Sequence, residues 1–239
     1  MDFKKYWSVF PTQFVETDFA KQVQYTIKGE PIGKSYIDDI AASIVENLAI
    51  SPEDRVLDLC CGNGMFTIEL AEKCKHIVGV DFSDSLVNVG KKHNIRDNVQ
   101  YIESDAVEYI REFAASGQTY DKILVNGAFQ YFNKQQGRAL IEGMAQALEP
   151  GGRILLCGVP DARRKSGLYD TPSKMLRHYW RMLVGRERIG VWWTEKSIRS
   201  ISEQSKLNCV FKDSRGQTSS PYRFDAILTG KALANRTSS

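Results

Sequence analysis

Short apolar runs and amphipathic stretches alternate along the middle of the chain. A short apolar run bounded by turn signals is typical of a strand buried in a sheet. Amphipathic stretches, such as the one that places Ile37, Ile40, Ile44 and Leu48 on one helical face, are typical of helices that cover such a sheet. Strands are therefore predicted at 55–59, 76–80, 99–102, 121–125 and 153–159, and helices at 37–48, 65–73, 84–93, 106–115 and 134–148.

Strands separated by helices indicate a parallel sheet with helices on both faces. In such sheets, ligands bind at the carboxyl ends of the strands. The alternation stops at 161–193 and resumes with a helix at 197–204 and strands at 207–211 and 224–229. A length of 239 residues fits one large α/β domain.

The turn after the first predicted strand gives the first indication of a ligand. The segment at 56–70, VLDLCCGNGMFTIEL, passes from a buried strand through a sharp turn into a helix. Small residues in such a turn let a ligand contact backbone N–H groups at the helix start. This pattern predicts a nucleotide-like ligand, against the alternative of a tight turn with no ligand.

Two acidic residues narrow the choice of ligand. The dinucleotide fingerprint G-x-G-x-x-G needs a glycine three residues after Gly64, where this chain has Thr67. Asp81, after the next strand, could accept both hydroxyls of a ribose. Asp58 would repel a pyrophosphate but suits a positively charged amino group. Adenosine joined to an amino acid describes S-adenosylmethionine.

The segment from Asp58 to Gly64 resembles motif I of class I S-adenosylmethionine-dependent methyltransferases, D/E-x-G-x-G-x-G, with Cys60 in place of the first glycine. Asp81, Asp105 in VQYIESDA, then YDKILVNGAFQYF and LEPGGRILLCGVP follow in the order expected of that family, over roughly 55–160. The resemblance implies a Rossmann-like α/β fold: a doubly wound seven-stranded sheet, mostly parallel with an antiparallel last strand, and helices on both faces.

The resemblance also implies the cofactor S-adenosyl-L-methionine, with S-adenosyl-L-homocysteine as product. Asp58 would order its amino-acid end, Asp81 its ribose and Asp105 its adenine amino group. For Asp81 and Asp105, helix capping is the alternative. The full set of predicted cofactor-binding residues is Asp58, Cys60, Gly62, Asn63, Gly64, Asp81, Phe82, Ser83, Asp105, Ala106, Asn126 and Gly127.

The catalytic and acceptor-binding residues are less constrained by the pattern. His178 and Tyr131 are the candidates for a catalytic role, although a packed or exposed histidine is the alternative for His178. Aromatic side chains in the segments at 1–33 and 161–193, together with Tyr131 between them, are candidates for the acceptor pocket. The acceptor-binding candidates are Tyr6, Trp7, Tyr25, Tyr131, Tyr169, Tyr179 and Trp193.

One domain with two covers is expected. Residues 1–33 are rich in aromatics and predict an N-terminal helical lid over a cofactor-binding core at 34–160, and 194–233 supplies the last helix and strands. The insertion at 161–193 predicts a second lid and holds eight Lys or Arg against three acids between 161 and 188. It could recognise an acidic acceptor, lie on a membrane surface, or form a solvated charged face.

Composition excludes little else. The formal net charge of +3 is too small to argue for nucleic acid, and there is no dedicated nucleic-acid module. Five cysteines without a C-x-x-C pair fit reduced thiols, and no metal site is predicted. No signal peptide or run of about 20 apolar residues is present, so a cytoplasmic protein without a transmembrane segment is expected. The oligomeric state stays open.

The function predicted is transfer of a methyl group from S-adenosylmethionine to an oxygen or nitrogen of a small metabolite, which would be acidic if the insertion recognises the acceptor. An RNA or protein methyltransferase is the alternative within the same fold. A nicotinamide-dependent oxidoreductase is disfavoured by Thr67 and Asp58. A non-catalytic cofactor-binding subunit is the remaining alternative.

Overall fold

A computed structural model describes residues 1–184, 189–214 and 220–230. The centre of the fold is a seven-stranded sheet. Its strands are β3 (Arg55–Leu59), β4 (His76–Asp81), β5 (Val99–Glu103), β6 (Tyr120–Asn126), β7 (Leu148–Pro160), β8 (Leu207–Asp213) and β9 (Arg223–Gly230). They lie in the order β5-β4-β3-β6-β7-β9-β8. The five strands from β5 to β7 are parallel, and β9, the last of the described strands, runs antiparallel to both β7 and β8.

Helices cover both faces of this sheet, because its central strands are apolar on both sides. These helices are α3 (Lys34–Leu48), α4 (Met65–Ala71), α5 (Asp84–His93), α6 (Ala106–Ala115), α7 (Lys134–Gln146) and α9 (Glu195–Gln204). Leu57 and Leu59 of β3 belong to a core with α6, α7 and α9, whereas Val56 packs with α3 and α4 on the other face. The predicted Rossmann-like fold is confirmed.

The predicted boundaries agree to within a few residues, with the largest difference at β7. This strand was expected at 153–159 but begins at Leu148, which pairs with Tyr120 of β6. The pairing then shifts, so that Arg153 faces Lys122 and the intervening residues form a bulge. Gly151 adopts a left-handed conformation there, which the sequence pattern marks only as a turn.

The N-terminal 33 residues lie across the carboxyl edge of the sheet. They form the short helices α1 (Phe3–Val9) and α2 (Phe19–Gln22) with a 3₁₀ turn between them, and then a hairpin of β1 (Thr26–Ile27) and β2 (Glu30–Pro31) where only helices were predicted. The Ser83 hydroxyl donates to the Trp7 carbonyl oxygen, and Asn63 donates to the side chain of Gln22. These contacts tie the segment to the loops that follow β3 and β4.

In its described part, the insertion after β7 contains one α-helix, α8 (Pro172–Leu183). The chain then returns to the sheet, where Asp161 and Trp193 form an isolated parallel bridge. Residues 185–188 of the predicted second lid, and 215–219 and 231–233 of the predicted C-terminal part, lie outside the described residues. Among the helices that the structure describes, none is long and apolar enough to cross a membrane.

Candidate active site

A cavity of about 520 Å³ lies at the carboxyl ends of β3, β4 and β6, beneath α1. Its wall is built from the turn after β3, the residue after β4, the start of α6 and the loop after β6. Ten of the twelve predicted cofactor-binding residues line it: Asp58, Cys60, Gly62, Asn63, Asp81, Phe82, Asp105, Ala106, Asn126 and Gly127.

The turn between β3 and α4 is compact because three of its residues are left-handed. Cys60, Gly62 and Gly64 have φ angles of 61°, 58° and 77°. A Cβ on Gly64 would lie 2.1 Å from the Tyr101 hydroxyl, and one on Gly62 would lie 2.9 Å from a methyl of Val23. Side chains are therefore excluded at both glycines, and the backbone of Gly62 forms part of the cavity wall.

Asp81 is held by backbone N–H groups on two sides. Its Oδ2 accepts a hydrogen bond from the Gly62 N–H and its Oδ1 one from the Ser83 N–H, both at 2.9 Å. Burial raises the pKa of Asp81, and these two bonds, with one from the Phe82 backbone, oppose the rise. Because each carboxylate oxygen can accept a further bond, Asp81 can bind a pair of hydroxyls from a fixed position.

Asp58 is buried near the floor of the cavity, at 2% exposure. Its Oδ2 accepts a 2.7 Å hydrogen bond from the Thr67 hydroxyl. Burial raises the pKa of Asp58 to about 7, the Thr67 bond opposes this, and the Asp81 carboxylate adds to the rise. A cation placed beside Asp58 would restore its charge, which makes it suited to an ammonium group.

The Asp105 carboxylate contacts both the start of α6 and the side chain of Lys4. Its Oδ1 caps α6 by accepting hydrogen bonds from the backbone N–H groups of Val107 and Glu108, so the capping role weighed from the sequence is present. Its Oδ2 forms an ion pair with the Lys4 ammonium at 2.7 Å. Burial alone would raise the pKa of Asp105, but the Lys4 and helix bonds outweigh it and lower that pKa.

Aromatic side chains from the N-terminal segment and from the loop after β6 line part of the cavity. Three of the predicted acceptor-binding residues, Trp7, Tyr25 and Tyr131, are among them, and Trp7 meets Tyr131 edge to face at 5.6 Å between ring centroids. Burial raises the pKa of Tyr25 and of Tyr131, so both hydroxyls stay protonated near neutral pH. They can donate hydrogen bonds but are poor candidates for a base.

Some predicted residues are placed away from the cavity wall. Gly64 and Ser83 are not part of it, although Gly64 shapes the turn and Ser83 holds Asp81 through its backbone N–H. Trp193 is fully buried against Phe129, with ring centroids 4.7 Å apart, and so belongs to the core. Core packing of this kind depends on tertiary contacts that the local pattern does not show.

The three remaining acceptor candidates, Tyr6, Tyr169 and Tyr179, and the candidate base His178 also lie outside the wall. Tyr6 stacks on Phe10 within the N-terminal segment. His178, the candidate base, is buried in the insertion and stacks on Tyr169 at 4.2 Å between ring centroids. Tyr179 is 53% exposed on α8. The structure therefore brings Tyr131, and not His178, to the cavity.

Several lining residues were missed by the sequence interpretation. Lys4 and Phe3 come from α1, Phe132 and Gln136 from the loop and helix after β6, and Val191 from the end of the insertion. Gln136 carries a local signal, because it completes the capping box that Asn133 begins at the start of α7. The others depend on how separate segments meet. Within the described chain no group of three His, Cys, Asp or Glu side chains is arranged to hold a metal ion.

The chain is similar to known methyltransferases over the segment that contains most of this site. Residues 56–152 match the family model described as a methyltransferase domain. A demethylmenaquinone methyltransferase from Clavibacter sepedonicus is 30% identical over 161 residues, which are 65% of this chain and 62% of that protein. A 23S rRNA (uracil(1939)-C(5))-methyltransferase from an Enterobacter species is 36% identical over 92 residues, 37% of this chain and 21% of that protein. The chain thus spans less than two thirds of these relatives.

Solved structures agree on the fold. Magnesium protoporphyrin IX methyltransferase from Synechocystis, with bound SAM, superposes with a TM-score of 0.61 at 14% identity, over 96% of this chain and 95% of that one. The N-methyltransferase NodS from Bradyrhizobium japonicum gives 0.58 at 16% identity, over 83% and 98%. The resemblance to class I S-adenosylmethionine-dependent methyltransferases is confirmed in the fold, and residues 56–152 match a methyltransferase domain.

Proposed function

We propose that this protein transfers a methyl group from S-adenosylmethionine to an oxygen or nitrogen of a small metabolite. The observation that carries the proposal is the placement of two buried carboxylates, Asp58 and Asp81, on either side of a left-handed turn in one cavity. Together they match a ligand that has a cationic amino group at one end and a ribose near the other.

The residues present fit that cofactor by their donors and acceptors. Asp81, fixed by the Gly62 and Ser83 N–H groups, would accept the two ribose hydroxyls. Asp58, with its raised pKa, would bind the amino group. Phe82 and Ala106 line the same cavity and would contact the adenine. When bound, the cofactor supplies a methyl group already activated by its sulfonium.

The protein's own task is then to hold the acceptor in line with that methyl group. Orientation alone can contribute about 7–11 kcal/mol to lowering the barrier. Tyr25 and Tyr131 would position the acceptor as hydrogen-bond donors, while Trp7 and Phe3 cover it from α1. No histidine lines the cavity within the described chain, so an acceptor whose reacting atom is already nucleophilic is favoured.

The rival functions have weaker support. A dinucleotide would bring its pyrophosphate near Asp58, and Thr67 stands where that fingerprint requires glycine. The relative named as a 23S rRNA methyltransferase matches over 92 residues only. Among the relatives named for small molecules, the demethylmenaquinone methyltransferase matches over 161 residues.

Transfer of labelled methyl groups tests the proposal. The protein is incubated with S-[methyl-³H]adenosylmethionine in three separate reactions. One contains a metabolite extract, one total RNA and one total protein. We expect label in the metabolite fraction, and loss of that label when Asp81→Asn replaces the wild type. Label appearing only in RNA or protein would contradict the small-molecule acceptor. Failure of cofactor binding, measured in parallel, would contradict the cofactor itself.

A further inference from the structure

The helix α8 exposes a continuous apolar face. Leu176, Tyr179, Trp180 and Leu183 are 72%, 53%, 54% and 87% exposed. Their spacing of three and four residues places them on one side of the helix. Single exposed apolar residues are common on proteins, but four adjacent large ones indicate a surface that meets an apolar partner.

A second stripe on the same helix is basic. Lys174, Arg177 and Arg181 are also spaced by three and four residues and are exposed. Lys174 pairs with Asp170 at 2.7 Å, whereas none of the described acidic side chains forms an ion pair with Arg177 or Arg181. These two guanidinium groups are available to anions from outside the molecule.

The third side of α8 fixes its orientation. His178 is 1% exposed and stacks on Tyr169, and the same imidazole lies edge-on to Trp192 at 6.3 Å between ring centroids. Met175, three residues before His178, is half-buried. Because this side is packed on the protein, the apolar and basic stripes point away from it.

The position of α8 relative to the cavity separates the interpretations left open by the sequence. His178 packs against Trp192, and the residue directly before Trp192, Val191, lines the cavity. Lys174, Arg177 and Arg181 do not reach the cavity, whose described wall contains Lys4 and no other Lys or Arg. The basic stripe is therefore poorly placed to recognise an acidic acceptor.

We propose that α8 is an interfacial helix that binds the surface of a bilayer containing anionic phospholipids. The face formed by Leu176, Tyr179, Trp180 and Leu183 would enter the boundary between head groups and acyl chains, and Arg177 and Arg181 would contact lipid phosphates. The proposal concerns where the protein binds and goes beyond the proposed function.

Charge and polarity favour this partner over two others. A second copy of the chain would bring the same basic stripe against its own, and like charges repel. A nucleic acid would satisfy the arginines but would leave Leu176 and Leu183 in water. A bilayer with anionic head groups covers both stripes at once.

Co-sedimentation with vesicles tests the proposal on the full chain. One set of vesicles contains phosphatidylcholine only, and a second set also contains phosphatidylglycerol. We expect the wild type to sediment with the second set and to be released by salt. Each of Arg177→Gln and Arg181→Gln should weaken binding about fivefold, since a basic residue near such a surface contributes about 1 kcal/mol.

Substitutions on the apolar face separate insertion from simple charge attraction. Trp180→Ser with Leu183→Ser should abolish sedimentation, whereas Val210→Ser, at an equally exposed apolar site on β8, should leave it unchanged. Binding of S-adenosylhomocysteine by every variant is the control for folding. Equal sedimentation of the Trp180 and Val210 variants, no sedimentation of the wild type, or self-association through α8 would each overturn the proposal.

Discussion

The Thr67 hydroxyl donates a 2.7 Å hydrogen bond to Oδ2 of Asp58, nine residues earlier in the chain. Thr67 is the residue that stands where a dinucleotide fingerprint has its third glycine. In this protein it holds a buried carboxylate at the cavity floor, and its bond opposes the rise that burial causes in the pKa of Asp58. The departure from the dinucleotide fingerprint at Thr67 therefore supports a ligand with a cationic amino group in place of a dinucleotide.

Removing this bond should weaken cofactor binding. Thr67→Val keeps the shape of the side chain but takes away the donor, so the pKa of Asp58 should rise further and its charge should be lost more easily. A hydrogen bond to a charged group contributes about 1.5–3 kcal/mol, which corresponds to about ten- to a hundredfold in affinity. Calorimetric titration with S-adenosylhomocysteine measures the loss. Thr67→Ser is the matched control and should bind as the wild type does; a Val variant that binds equally well would contradict the role of Thr67.

Cofactor binding should depend on pH through Asp58. Because the amino group of the ligand binds the ionised carboxylate, a protonated Asp58 must first lose its proton, and its pKa lies at about 7 in the ligand-free protein. We expect affinity to fall about tenfold for each pH unit below that value and to level off above it. Titration in buffers of different ionisation heat should show proton release. An Asp58→Asn variant with the same pH profile would assign the effect to another group.

In the ligand-free protein, Asp58 should make the free energy of unfolding fall as pH rises, whereas cofactor affinity rises with pH. Folding raises its pKa from 3.8 to about 7, so the folded protein holds this proton more tightly than the unfolded chain does. Its contribution to the free energy of unfolding is therefore fully present below the lower value, falls as pH rises between the two values, and stays low above the higher one. Thermal unfolding of wild type and Asp58→Asn over this range measures the difference, which should grow with pH in favour of the variant.

Asp105 should matter to stability mainly as a helix cap. Its Oδ1 accepts from two backbone N–H groups of α6, whereas its ion pair joins a lysine whose side chain is 62% exposed. Asp105→Ala should lower the free energy of unfolding by about 1–2 kcal/mol. Lys4→Met should lower it by less than about 1 kcal/mol, because exposed ion pairs are weak. Urea denaturation compares them, with Asp105→Ser as the control that keeps a capping oxygen. An equal loss from Lys4→Met and Asp105→Ala would contradict this ranking.

Two tryptophans should differ sharply in their effect on stability. Trp193 is fully buried against Phe129, so Trp193→Ala should lower the free energy of unfolding by about 3–5 kcal/mol. Trp180 is 54% exposed on α8, and Trp180→Ala should change it by no more than about 0.5 kcal/mol. Urea denaturation followed by circular dichroism measures both. A mild effect of Trp193→Ala would instead favour the acceptor-binding role expected from the sequence.

The sequence predicted the parts of the site that depend on short segments. The turn at 60–64, Asp58 and Asp81 are fixed by one strand, one turn and the rule that parallel strands end at a common edge, and all of them line or shape the cavity. Asp105 also lines the cavity, where its carboxylate caps α6 and pairs with Lys4.

The acceptor side could not be predicted in the same way. His178 and Trp193 have the residue types of a functional pocket, yet each is buried by partners far along the chain or across an insertion. Phe3, Lys4 and Val191 reach the cavity only because α1 and the end of the insertion fold over the sheet edge. Contacts of this kind depend on tertiary packing, for which a local pattern carries no signal.

Calorimetric titration with S-adenosylhomocysteine, with NAD as the control ligand, tests the central claim most directly. Wild type and Asp81→Asn are compared, after circular dichroism has shown that both are folded. The account predicts micromolar binding of S-adenosylhomocysteine by the wild type, loss of that binding in Asp81→Asn, and no binding of NAD. Binding of NAD in place of S-adenosylhomocysteine would contradict it.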